Sequence, residues 1–165
     1  NMWSNFQETV KIYKQGKAYY DALKSVHDLV KGARKVQQTI LLVGDISDIY
    51  VTNFNTMTGD PNFTVEELSA IAFGYNRPVS YNRLLKESSD LLLDLKEVTT
   101  ATGLSMTDKE RLDIINRIYG EVLEYKNLTW YYTRKNIGVS YLRSKEKGDA
   151  ARVLSLYGTH EQRYW

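Results

Sequence analysis

No cysteine occurs in the chain, which excludes disulfides, thiolate zinc sites, iron-sulfur clusters and a cysteine nucleophile. Histidine is nearly absent too: His27 and His160 are the only two, and neither sits in an HExxH or comparable ligand spacing. No GxSxG, GxGxxG or GxxxxGK[ST] occurs, and "GVSYL" at 138 to 142 lacks the closing glycine of an esterase-type elbow. Neither catalytic residues, a cofactor nor a metal site is therefore expected. Proline is limited to Pro61 and Pro78, so little interrupts regular structure. The longest apolar run, around "TILLVG" at 39 to 44, is far shorter than a membrane span.

Net charge is also small. At +2 over 165 residues, the whole chain has no general attraction to nucleic acid or an anionic membrane. The distribution is less even. Between 126 and 152, Lys126, Arg134, Lys135, Arg143, Lys145, Lys147 and Arg152 face only Glu146 and Asp149, a local +5. With 42% apolar and 25% charged residues, the composition is that of one ordered domain, residues 1 to 165.

What is abundant is helical periodicity. Ile12, Tyr19, Ala22, Val26, Leu29, Ala33, Val36, Ile40, Val43, Tyr50, Phe54 and Met57 recur at spacings of three and four, interrupted by Gln15 and Ser47. Leu23, Val30, Leu41, Leu42, Ile46 and Ile49 widen the stripe, which implies several helical neighbours. One helix from a Ser4 cap to about Met57 is expected, with Gly16, Gly32 and Gly44 marking bends. "TGDPN" at 58 to 62 reads as a turn. Thr64 with Glu67 forms a capping box that opens a second helix; "FGYNRPVSYN" at 73 to 82 interrupts it as a projecting loop, and it resumes to about Thr100. Thr107 with Glu110 opens a third helix, which continues through Gly138, and Ala150 to Tyr157 closes the chain's order at a Gly158 C-cap. Sustained period-two alternation is absent, so the expected class is all-α: an elongated bundle of three long helices, the second interrupted, plus a short C-terminal helix.

Six residues stand out as a candidate interface. In "TWYYTRKNIGVSYLRSKEKGD", 129 to 149, Leu128, Tyr132, Val139 and Leu142 are expected to point inward, leaving Trp130, Arg134, Tyr141 and Lys145 on another face. Tyr75 and Tyr81 in the interrupted loop join them, since tyrosine buries a large area while keeping a polar handle. Two readings compete: a protein contact, or a single-stranded nucleic-acid module in which rings stack bases and cations pair phosphates. Packing and the small net charge favour the protein contact, with no direct nucleic acid. Asp45 and Asp48, three apart, suit a solvated face better than a cation site.

Longer blocks carry a family resemblance. "YKQGKAYYDALKSVHDLVKGARKVQQTILLVGDISDIY" (13 to 50), "DPNFTVEELSAIAFGY" (60 to 75), "LSMTDKERLDIINRIY" (104 to 119), "YYTRKNIGVSYLR" (131 to 143) and the closing "RYW" resemble the TraI family of Bacteroides-type conjugative transposons. That family is similar to the minor, pilus-associated subunits of type IV secretion systems. The resemblance implies a non-enzymatic assembly component of a conjugative transfer apparatus, acting on other conjugation or pilus proteins. It also implies export to the periplasm or cell surface, with a signal peptide removed upstream of Asn1. The unrelated relaxase of the same name requires a histidine cluster that this sequence lacks.

Overall fold

The computed structural model describes residues 7–11, 13, 14, 17, 18, 32–74, 77–100 and 106–158. Among them every regular element is a helix and none is a strand, as the periodicity predicts. In chain order these are α1 (Ala33–Thr58), α2 (Val65–Phe73), α3 (Tyr81–Thr100), α4 (Asp108–Glu146) and α5 (Ala150–Tyr157), preceded by helical turns among residues 7 to 18. No helix among the described residues is long and apolar enough to cross a membrane.

The uninterrupted helix expected from Ser4 to Met57 does not form. Gly32 has φ 95°, a left-handed conformation open to glycine at no steric cost, and α1 starts only after it. Ser4 and the seam positions Ile12, Tyr19, Ala22, Val26 and Leu29 lie outside the described residues. Gly44, expected as a bend, has another use. A Cβ there would lie 2.7 Å from the Tyr13 hydroxyl, so the missing side chain lets the N-terminal helical turns lie directly on α1. Thr9 adds a hydrogen bond from its hydroxyl to the Asn82 side-chain carbonyl at the start of α3.

The core lies between α1, α3 and α4. Ile40, Val43, Ile46, Tyr50, Phe54 and Met57 of α1 are buried against Leu85, Leu92 and Leu95 of α3 and Ile115, Ile118 and Val122 of α4. At 25 cal/mol per Å², each such side chain contributes about 1.5–3 kcal/mol. Leu41, which widened the seam in sequence, is 64% exposed and takes no part.

Turn chemistry behaves as the sequence predicts at three places. Thr64 and Glu67 make the reciprocal capping box at the start of α2, the Thr107 hydroxyl accepts from the Glu110 amide at the start of α4, and Gly158 caps α5 with φ 63°. The 60 to 62 turn is more than a reversal. Asp60 is buried, and its carboxylate accepts from the Asn62 amide (2.9 Å), the Ser140 hydroxyl (2.5 Å) and the Tyr157 hydroxyl (2.7 Å). One side chain thus fastens the turn to α4 and α5.

Candidate interaction surface

The C-terminal half of α4 inverts the expected pattern. Its buried face carries Thr129, Tyr132, Thr133, Asn136, Ile137, Ser140 and Ser144, of which only Tyr132 and Ile137 are large and apolar. Burial is tolerated because each polar group has a partner. Thr129, Thr133 and Asn136 donate to the carbonyls of Tyr125, Thr129 and Tyr132 one turn back, and Ser144 to that of Tyr141. Small residues here also make room for Tyr81.

Tyr81 is therefore no interface residue. It is fully buried as the first residue of α3, stacked on Tyr50 (centroids 4.8 Å apart) and edge-on to Tyr132 at 5.0 Å. Because the Thr133 hydroxyl already donates to Thr129, the Tyr81 hydroxyl donates to Thr133, at 2.6 Å. The loop before it does not project as a whole: Arg77 and Pro78 are exposed, but Gly74 and Ser80 are buried and Ser80 receives the Arg83 amide. Tyr75, the other loop candidate, lies outside the described residues, as do His27 and His160.

Of the four strip residues, Arg134 and Lys145 are exposed, whereas Trp130 and Tyr141 are half-buried and packed against the core. The strip shares one side of α4, but its rings are partly covered. Sequence spacing missed what is more open. Leu128, Val139 and Leu142, expected inward, are 38%, 38% and 60% exposed, and Tyr131 is 55% exposed. They recur at helical spacing along one outer stripe, with Lys135 between them and its ammonium 5.5 Å from the Tyr131 ring centre.

Leu128 also belongs to a groove of about 620 Å³ between α3 and α4, lined by Glu87, Asp90, Leu91, Asp94, Glu121, Glu124 and Tyr125 as well. Five of those eight residues are acidic. Glu87, Asp90 and Glu121 are engaged by Arg83, Lys86 and Arg117 of their own helices, while Asp94 and Glu124 have no ion pair among the described residues. Tyr125 donates to Glu87 at 2.8 Å; burial, then that carboxylate, pushes its pKa up to about 12. Burial disfavours the Glu87 carboxylate, yet the hydrogen bonds from Arg83 and Tyr125 hold its pKa below the ordinary value. The acidic spacing on α3, residues 87, 90 and 94, was visible in the sequence; its convergence with α4 was not.

Elsewhere charge is used for fastening. Arg143 holds Glu67 with two contacts (2.9 and 2.6 Å) and donates to the Asn62 carbonyl, which lowers the Glu67 pKa to about 2, chiefly through the Arg143 hydrogen bond and then the Thr64 amide. Asp45 is paired with Lys126 at 3.0 Å. No group of three metal-ligating side chains occurs among the described residues. Comparison of the chain with models of protein families, with curated proteins and with solved structures finds no match.

Proposed function

We propose that the chain is a non-enzymatic assembly component of a conjugative, type IV secretion-like apparatus, exported to the periplasm or cell surface and working through protein contacts. The carrying observation is the outer stripe of α4: four large apolar side chains exposed in a row, over a backbone held by the buried Ser140–Asp60–Tyr157 network. Exposed apolar stripes of this kind favour a partner surface over water. The TraI-like blocks supply the conjugative setting. In this reading the helices form the elongated bundle expected from the sequence, with α4, about 58 Å long at 1.5 Å per residue, as its spine.

Deleting the gene from a donor strain and complementing it tests the reading. Wild-type protein should restore transfer, and Tyr131→Asp with Leu142→Asp should fail to do so while accumulating normally. Full transfer by the double variant, or recovery of the native protein only from the cytosol, would contradict it.

A nucleic-acid role has one observation in its favour, the exposed Arg134, Lys135 and Lys145. It demands single-strand affinity falling with salt at a log-log slope of about −0.7 per phosphate contact, and a loss of roughly 1–3 kcal/mol for Trp130→Ala. The half-buried Trp130 and Tyr141 rings weigh against that outcome.

A further inference from the structure

The outer stripe of α4 joins two surfaces of opposite charge. At one end Leu128 enters the groove in which Asp94 and Glu124 carry no ion pair among the described residues. At the other, past Leu142, Lys145 and Lys147 are exposed, and Lys145 has no ion pair among the described residues. Leu128 and Leu142 are fourteen residues apart, about 21 Å along the helix axis. Acidic groove, apolar stripe and basic end therefore follow one another on a single rod.

We propose that this surface binds a second copy of the chain, with the two α4 helices antiparallel about a twofold axis near Lys135. In that register Leu128 meets Leu142 of the partner copy, Tyr131 meets Val139, and each acidic groove receives the other copy's basic end. The pairing is isologous, the commonest kind in homo-oligomers, and satisfies both grooves at once. Lys135 escapes the axis along its own Tyr131 ring, over which its ammonium already lies. Opposite charges at the two ends fix the direction, because a parallel pair would set groove against groove. The inference needs only the surface, not the conjugative role, so either can fail without the other.

Charge reversal at each end, followed by mixing, provides the test. Sedimentation equilibrium of the wild type should show a monomer–dimer equilibrium that weakens about tenfold between about 50 and 500 mM salt. Asp94→Lys with Glu124→Lys should yield monomers, as should Lys145→Glu with Lys147→Glu, each with a wild-type circular dichroism spectrum. An equimolar mixture of the two variants should dimerise at least as tightly as the wild type, since every groove then faces an end of opposite sign. Such rescue cannot arise from misfolding. A wild type that stays monomeric at low salt at about 0.5 mM would overturn the proposal and leave the groove to a basic segment of another protein. Failure of the mixture to associate would overturn it equally.

Discussion

The two halves of α4 obey different rules. In the N-terminal half the large apolar residues Ile115, Ile118 and Val122 are fully buried, and the charged Asp113 and Arg117 face water. In the C-terminal half the buried positions are mostly Thr, Ser and Asn, and Leu128, Val139 and Leu142 lie outside. Hydrophobic periodicity reports that a helix has an apolar stripe; it does not report what covers the stripe. In the first half α1 and α3 cover it. In the second, Asp60, Tyr81 and Tyr157 need hydroxyl partners, so the polar side turns inward.

The largest effect that would break this contrast is a truncation inside. Tyr81→Ala should destabilise the fold by about 3–5 kcal/mol through the cavity it leaves among Tyr50, Phe54 and Tyr132, whereas Leu142→Ala should stay within about 0.5 kcal/mol. Urea denaturation of both variants measures the difference, and similar midpoints would erase the inside-outside assignment. Next comes Asp60→Ala, which strands the hydroxyls of Ser140 and Tyr157 and the Asn62 amide. A loss of about 2–3 kcal/mol is expected in the same assay.

Smaller effects sharpen the account. Tyr81→Phe and Thr133→Val should each cost about 1 kcal/mol, and the double variant less than their sum, because both remove the same hydrogen bond. A fully additive cycle would show that the hydroxyls act independently.

The pH dependence has two arms of known sign. Glu67, with its pKa lowered from 4.5 to about 2, stabilises the fold above its unfolded pKa, and that contribution is lost as pH falls from about 4.5 towards 2. Arg143→Ala should flatten this acid arm and cost at most about 1 kcal/mol at neutral pH, since the pair is partly solvated. Burial raises the pKa values of Tyr50, Tyr132 and Tyr157 above 10.0, with Asp60 adding to the effect at Tyr157. Their contribution is present below pH 10 and lost as pH rises beyond it, when the unfolded phenols ionise first. Melting temperatures across both ranges check the two arms.

Much of the fold was legible in the sequence for local reasons. Thr64–Glu67, Thr107, Gly74 and Gly158 act through neighbours in the chain, so the boundaries of α2, α4 and α5 could be read directly. The inward faces of α1 and of the first half of α4 were legible too, because large apolar residues there meet others like them. Gly32 was recognised as a weak point, but its left-handed conformation depends on contacts the spacing does not contain. Tyr81 looked like a loop aromatic because Pro78 precedes it, and only its stacking on Tyr50 reveals it as core. The acidic groove was hidden because its carboxylates come from helices about thirty residues apart.

The absence of cysteine makes the inversion of α4 directly measurable. Single substitutions Val139→Cys and Leu142→Cys, beside Ile137→Cys and Ser140→Cys, can be labelled with a thiol reagent in native buffer and compared with the same variants unfolded in urea. With the polar side buried, positions 139 and 142 should react nearly as fast native as unfolded, while 137 and 140 should be protected by about a thousandfold or more, as sites exposed only through opening of the fold. Protection at 139 and 142 with free reaction at 137 and 140 would restore the pattern the periodicity implied and contradict the account.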